Sequence, residues 1–362
     1  MMQRRQRRVP PINLPLEDVP SRSRDAEQIR RDIAEDSISH INYIKMYLAG
    51  RLGFPELEEI PFTMSELNDI EPLGTGSYGT VRRMVHRSSG HEMAVKRVRI
   101  TNSGSDDVGI NQSMKRLRHE VEAIKSASDC ENIVRFYGLT FHEGDAWVCM
   151  ELMDISLEHL YQTAHRVYEG KSLFNEPTLG SVAISDQYHI IHRDIKPSNI
   201  LLSHCGAVKV CDFGICGYLQ DSVAQTREAG CRPYMAPEKL SSKNYDIRSE
   251  VWSLGLTMIE VANFAFPYPG FNEAPVFTQL QMVVYEDPPM VKNTKYSLPL
   301  RHFTNMCVIK DYRERPNFME LMKTKYYLQY ENFHNIKGKV AEYVSEMLPH
   351  REHFKKTEQS LA

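Results

Sequence analysis

Asp194, Asn199 and Asp212 are the side chains around which chemistry could be built. The first two lie in Ile191-His192-Arg193-Asp194-Ile195-Lys196-Pro197-Ser198-Asn199, and the third follows thirteen positions after Asn199 in Cys211-Asp212-Phe213-Gly214. Between them, Ile200, Leu201 and Leu202, then Val208 and Val210, read as two short buried strands around the turn His204-Cys205-Gly206. A hairpin of that kind brings Asp194, Asn199 and Asp212 to one mouth. Three oxygen-bearing side chains there suit a divalent metal and proton abstraction from a hydroxyl. Either short motif alone arises by chance in many chains, whereas the two in tandem at this spacing are highly specific.

Such a site needs a phosphate cover and a cation. Leu73-Gly74-Thr75-Gly76-Ser77-Tyr78-Gly79-Thr80-Val81 is a G-x-G-x-x-G-x-V run, whose glycines let main-chain amides approach phosphate oxygens. A dinucleotide fold uses the same letters before a helix. Here Val81 to Val85 alternates like a strand, Ser88-Ser89-Gly90-His91 supplies a turn, and Met93 to Val98 forms a second strand with Lys96 between apolar neighbours. Strand–turn–strand favours a phosphate-covering loop over a dinucleotide turn. Ser113 to Lys125 reads as a helix with Met114, Leu117, Val121 and Ile124 on one face, and Glu120 at its edge could pair with Lys96 or be a solvated helix charge. Ile133 to Tyr137 and Ala146 to Met150 read as two more strands, the second leading into Glu151-Leu152-Met153.

The remaining elements position and regulate. Residues 251 to 262 are apolar nearly all round, which marks a helix buried in a large lobe, and Arg315 is a partner for Glu238. Ser222 and Thr226 lie in a polar, Gly-rich segment between Asp212 and Ala236-Pro237-Glu238, where added phosphates could pair with Arg193 and order the loop. Apolar residues from Ile29 to Leu52 recur at helical steps, predicting a helix from Asp25 to about Leu52 ended by Gly53. Val340, Tyr343, Val344, Met347 and Leu348 form a stripe on a last helix, suited either to packing on the body or to a partner. Residues 1 to about 24 carry four prolines, at 10, 11, 15 and 20, and four arginines fall in the first eight positions, a solvated tail by composition. Arg4, Arg5, Arg7 and Arg8, a short spacer, then Ile12 and Leu14 also suit an extended segment docked in an acidic groove.

Composition narrows the classes. A chain of 362 residues suits two lobes plus tails. A net charge of −3 points away from nucleic acid and bulk membrane binding. Seven cysteines without C-x-x-C pairs indicate neither a zinc site nor a disulfide framework, and fit a reducing cytosol. No apolar run approaches the ~18 residues of a membrane span.

Residues 69 to about 328 resemble a eukaryotic protein kinase. Asp-Ile-Lys-Pro-Ser-Asn is the Ser/Thr-type form. More narrowly, Gly217 to Thr226, Ala229 to Glu238, and Glu143 to Met153 resemble the dual-specificity MAP kinase kinases, and Cys231, Phe266-Pro267-Tyr268-Pro269 and Asp287-Pro288-Pro289 resemble the stress-activated subgroup, which acts on c-Jun N-terminal-type and related MAP kinases. The resemblance implies an α+β, bilobal protein-kinase fold: a small β-rich N-lobe with one regulatory helix, and a larger, mainly helical C-lobe. It implies a tail over 1–24 with a MAP-kinase docking motif, a helix and linker over 25–67, an N-lobe over 68–151, a C-lobe over 152–330 and a C-terminal helix and tail over 331–362, part of an upstream-kinase docking region at about 317–350.

The implied roles are specific. Leu73 to Tyr78, Gly79 and Val81 would cover ATP, with Gly74, Gly76 and Gly79 over the phosphates; Lys96, held by Glu120, would contact the α and β phosphates. Met150, Glu151 and Met153 would border the adenine at the hinge. Asn199 and Asp212 would hold Mg²⁺, Asp194 would accept the substrate hydroxyl proton, and Lys196 would steady the γ-phosphate. Ser222 and Thr226 match the activating phosphosites, used by an upstream MAP kinase kinase kinase, and the substrate would be a downstream MAP kinase in the cytoplasm, with access to the nucleus left open. Two departures stand out. Only fourteen residues lie between Pro177 and His192, so the helix there is truncated, or the sequence is a splice form or a gene-model error, at a cost to lower-lobe contacts. Glu250 occupies the place of an aspartate that bonds the catalytic-loop backbone, which predicts reduced activity. Both departures keep a rival in play: a catalytically weak or dead kinase-fold scaffold tethering cascade members.

Overall fold

Period-two alternation builds the smaller lobe. The computed structural model describes residues 42–43, 49–55, 58–76, 79–99, 117–118, 121–122, 125, 130–185, 192, 194–212, 232–241 and 246–361. A mostly antiparallel sheet runs in the order β2 (Ile60–Pro61), β1 (Arg51–Leu52), β6 (Phe136–His142), β7 (Asp145–Met150), β5 (Glu92–Val98), β4 (Gly79–His86) and β3 (Leu67–Gly76). Central β7 is buried along its whole length. Trp147 and Cys149 join Met84, Met93, Val95, Leu52 and Phe54 on one face. Ala146, Val148 and Met150 join helical Leu117 and Val121 on the other, as successive side chains of a strand must.

Two expectations for this lobe are corrected. Arg51–Leu52 is a strand, not the end of a helix: Gly50 turns the chain at φ +79°, and β1 pairs antiparallel with β6 and β2. Leu52 is fully buried, a property that helical spacing alone could not tell from a strand position. The strand expected over Ile133 to Tyr137 begins later, at Phe136. Its first residues are used elsewhere: Val134 N–H donates to the Val210 carbonyl (3.1 Å), Val210 N–H to the Asn132 carbonyl (2.8 Å), and the Asn132 amide to the Val208 carbonyl (2.9 Å). Backbone hydrogen bonding thus ties the connection into the small lobe to β10 (Val208–Val210).

The larger lobe is helical, with a short sheet of β8 (Ile155–Ser156), β9 (Ile200–Leu202) and β10. In sequence come α1 (Leu157–Val167), α2 (Glu176–Ser185), α3 (Pro237–Ser241), α4 (Arg248–Asn263), α5 (Val276–Tyr285), α6 (Leu298–Cys307), α7 (Phe318–Leu321), α8 (Lys325–Glu331) and α9 (Ile336–Leu361). Every residue of α4 from Ser249 to Ala262 is buried, as expected of a helix apolar on all sides. Arg315 donates to Glu238 through both terminal nitrogens (2.7 and 3.0 Å) and also bonds the Ile309, Arg248 and Lys310 carbonyls, so this charge is buried with its donors used. On α9, Val340, Tyr343, Val344 and Met347 pack into the large-lobe core, with Leu348 against it. The stripe is therefore packing surface. The result is the bilobal α+β architecture of a small β-rich lobe on a helical one.

Helix α2 lies in the segment expected to be short. Ten residues give about 15 Å at ~1.5 Å per residue, and residues 186–191 lie outside the described ones. The helix still enters the core through Leu179, Val182 and Ala183. Asn175 caps it, its Oδ1 accepting the Thr178 N–H at 2.9 Å. Glu176 reaches across to accept the Ser297 N–H (3.1 Å) and hydroxyl at the start of α6.

Candidate active site

The antiparallel pairing of β9 with β10 matches Ile200 to Val210 and Leu202 to Val208, which returns the chain from Asn199 to Cys211. The Cys211 N–H donates to the Asn199 carbonyl at 2.9 Å, closing the hairpin at the mouth. A short 3-10 turn, Pro197–Asn199, precedes β9 and folds Asn199 back over Asp194. The Asn199 Nδ2 donates to both the Asp194 carbonyl and Asp194 Oδ2, each at 2.9 Å. Lys196 Nζ donates to the same Oδ2 at 2.7 Å. With its nitrogen spent on Asp194, Asn199 has its carbonyl oxygen for a hard cation.

His192 fastens this loop to Asp212. The Asp194 N–H donates to His192 Nδ1 (3.3 Å), so the ring hydrogen resides on Nε2 and is donated to the Cys211 carbonyl at 2.7 Å. Asp212 itself sits in the left-handed region at φ +62°, a conformation that short polar residues tolerate better than others. Its Oδ1 accepts from Lys96 Nζ at 2.7 Å. Lys96 is 4% exposed; β5 sends Met93 and Val95 to the opposite face, so alternation aims the lysine at the cleft. Desolvation pushes the Asp212 carboxyl upward, but the Lys96 charge and hydrogen bond outweigh it and hold the group below its ordinary value. The adjacent Cys211 thiol is driven far up, by burial first and by the Asp212 charge second, and is held as the neutral thiol.

The roof is the β3–β4 hairpin, with Gly74 opposite Val81, Thr75 opposite Thr80 and Gly76 opposite Gly79. Leu73 is exposed. Gly79 has φ +148°, and a Cβ there would lie 1.8 Å from the Arg97 carbonyl oxygen, so only glycine passes β5 at this point. Ser77 and Tyr78 lie outside the described residues, as does Glu120 and with it the expected Lys96–Glu120 pair. Ser222, Thr226, Arg193 and the tail residues Arg4, Arg5, Arg7, Arg8, Ile12 and Leu14 lie outside them too. At the hinge, Met150 is buried and Met153, Leu201 and Cys211 pack against the same cluster. Glu151 N–H donates to the Arg135 carbonyl (2.9 Å), and its carboxylate accepts from Lys209 Nζ at 2.8 Å.

Three features escaped sequence reasoning. Lys209 was hidden between Val208 and Val210; alternation alone puts it on the other face, where it meets Glu151. Glu250 pairs with Lys239 at 3.1 Å, the two side chains 3% and 4% exposed, and no motif marked that lysine. Glu260 on α4 accepts from the hydroxyls of Tyr161 (2.7 Å) and Tyr234 (2.6 Å), joining α1, α4 and the segment that precedes Ala236-Pro237-Glu238. Burial pushes the Glu260 carboxyl up, against both tyrosine hydrogen bonds. Only separation in sequence hid this trio.

A glycine roof, a buried lysine on a strand beneath it and an aspartate–lysine–asparagine loop linked to a second aspartate define a protein kinase. The chain matches the protein kinase domain family over residues 67–327. Among curated proteins it is 42% identical to the MAP kinase kinase mkk-4 of Caenorhabditis elegans, over 82% of this chain and 83% of that one. It is 42% identical to the dual specificity mitogen-activated protein kinase kinase sek-1 of the same organism, over 81% and 87%. It is 35% identical to the dual specificity mitogen-activated protein kinase kinase hemipterous of Drosophila melanogaster, over 76% of this chain and 23% of that protein. The chain belongs to the protein kinases and, within them, to the MAP kinase kinases. As a protein kinase it uses ATP and a divalent metal. No helix among the described residues is long and apolar enough to cross a membrane.

Proposed function

We propose that this kinase transfers the ATP γ-phosphate to Thr and Tyr in the activation loop of a stress-activated MAP kinase, and is itself switched on by an upstream MAP kinase kinase kinase at Ser222 and Thr226. The observation that carries the catalytic part is the Asp194 carboxylate, whose Oδ2 is held by both Lys196 and Asn199. That leaves Oδ1 to accept the proton of an incoming hydroxyl, while Lys196 lies beside it to steady the transferred phosphate. Lys96 would move from Asp212 to the α and β phosphates once nucleotide enters, with Glu120 as its partner. Gly74, Gly76 and Gly79 would cover the phosphates with backbone amides, and Met150, Glu151 and Met153 would border adenine.

The residues present fit a divalent cation. Asn199 offers a carbonyl oxygen and Asp212 an ionised carboxylate, hard ligands of the kind that leave room for phosphate oxygens. The metal, Mg²⁺ in this reading, would neutralise charge on the phosphates. Everything else is positioning: His192 locks the loop carrying Asp194 to the strand end carrying Asp212, so the two aspartates keep their separation.

The partners follow from the same reading. Residues 4–14 would dock the MAP kinase, and about 317–350 the upstream kinase. Since the Val340–Met347 stripe is core, that docking falls to outward residues, with Met319 and Leu328 exposed there. Action in the cytoplasm, and in the nucleus, is consistent with this reading. The scaffold alternative is disfavoured by the assembled Asp194–Lys196–Asn199 contacts. The deciding experiment gives the purified chain, carrying Ser222→Glu and Thr226→Glu, ATP, Mg²⁺ and inactive MAP kinases. The expected result is phosphate on both Thr and Tyr of a MAP kinase, with Asp194→Asn lowering the rate by about 10²- to 10⁴-fold. No phosphate on any MAP kinase, with Asp194→Asn binding the same partners, would establish the scaffold instead.

A further inference from the structure

Helix α9 touches both lobes. Its middle and last turns lie on the larger one: Tyr168 donates to Glu346 at 2.7 Å, Arg166 pairs with Glu358 at 2.6 Å, and the Arg166 guanidinium lies 5.5 Å from the Phe354 ring. Its first turn meets the junction between lobes. Lys337 pairs with Glu131, and Gly206, in the turn of the β9–β10 hairpin at φ +85°, passes so close that a Cβ would lie 2.0 Å from the Lys337 carbonyl oxygen. Between Phe354 and Glu358, Lys355 reaches the small lobe instead, its Nζ donating to Glu71 Oε2 at 2.8 Å. Lys337 and Lys355 are eighteen residues apart, about 27 Å along a helix.

Glu71 is placed for more than a surface contact. It lies in β3 two residues before Leu73, where the strand enters the glycine loop. The β3–β4 register shifts on both sides of it, between Asp69 and Glu71 and between Pro72 and Gly74, and such irregularities re-aim side chains. Its Oε1 accepts from Arg83 at 3.2 Å on the neighbouring strand, and Arg83 in turn holds Glu92. A charge on α9 is thus linked to three successive strands of the roof.

We propose that Glu71 and Lys355 form a positioning pair through which α9 holds the strand entering the glycine loop, so that the C-terminal helix sets how firmly the nucleotide roof is kept over the cleft. Neither residue touches reacting atoms. The effect on catalysis rests on nucleotide lying beneath Gly74 to Gly79, as proposed above; the effect on the strand does not.

The test uses the full-length chain with Lys355→Glu and Lys355→Arg, read by steady-state kinetics and by amide hydrogen exchange. Lys355→Glu is expected to raise KM for ATP by about two- to fivefold, the scale of a partly exposed ion pair, with kcat little changed. It is also expected to speed exchange in Leu67–Gly76 but not in Ile336–Val344. Lys355→Arg should match wild type in both. Faster exchange in the strand without a change in KM would support the pair and overturn the placement of nucleotide. Unchanged exchange in Leu67–Gly76, equal acceleration throughout α9, or a Lys355→Arg variant behaving like Lys355→Glu would overturn the pair.

Discussion

Asp212 concentrates the residue-scale physics of the site. Its backbone is left-handed, its carboxylate is bonded to a buried lysine, and its ionised form is favoured against the desolvation it suffers. Asn tolerates the same backbone region, so Asp212→Asn isolates the charge. The sign of its pH dependence follows from linkage. A carboxyl whose folded pKa lies below its ordinary 3.8 stabilises the fold fully above that value. The contribution is lost as pH falls from there through the lowered folded value. Denaturant unfolding of wild type and Asp212→Asn should show a stability gap that is constant near neutrality and narrows only below about pH 3.8. A gap that widened with acid would mean that Lys96 is not what holds the carboxylate.

At the scale of elements, α2 shows how a short helix is made to serve. Gly180 lets the Tyr330 ring of α8 lie on its backbone: a Cβ there would meet ring atoms at 2.2–2.5 Å. The ring cannot swing away easily, since Tyr326 and Phe333 hold it at centroid distances of 5.0 and 5.7 Å. Gly180→Ala should therefore destabilise the chain by about 1–3 kcal/mol through overpacking, although alanine is the better helix former. Thermal unfolding checks this, and adding Tyr330→Ala should give a double mutant less destabilised than the sum of the singles. Simple additivity would show that ring and glycine are not coupled. The same packing explains how a ten-residue helix still anchors the lobe, with Glu176 tied to α6 and three apolar side chains in the core.

At the scale of the whole molecule, the proposed docking of a MAP kinase by the N-terminal tail gives the test. If the four arginines at positions 4, 5, 7 and 8 dock an acidic groove, reversing them to glutamate should cut phosphorylation of a MAP kinase about tenfold or more, since rim charges act mainly on encounter. Phosphorylation of a generic protein substrate should be unaffected. Equal loss on both substrates, measured in parallel assays, would assign the arginines to folding rather than docking. Lobe geometry is a separate matter, kept by backbone bonds between Asn132–Val134 and β10 and by α9.

Much of the site was legible because its residues are close in sequence and bound to backbone rules. Asp194, Lys196 and Asn199 meet within one turn; Asp212 follows after a hairpin whose apolar pattern and turn residues leave few alternatives; Lys96 faces the cleft because strands alternate. The buried Glu238–Arg315 pair was legible too, since two charges beside a core need one another. What remained hidden depends on long-range packing. Leu52 has the spacing of a helix, yet it became a strand because an open sheet edge beside β6 accepts its hydrogen bonds. Ile133 and Val134 have the pattern of a sheet strand, yet β10 takes their backbone groups. Lys239 with Glu250, Tyr161 with Glu260, and Glu71 with Lys355 are separated by 11, 99 and 284 positions, and nothing local selects such partners. Sequence alone determined the chemistry, because chemistry needs particular side chains at short spacing. Tertiary structure decided what supports that chemistry, because burial pairs charges across distances that no local pattern encodes.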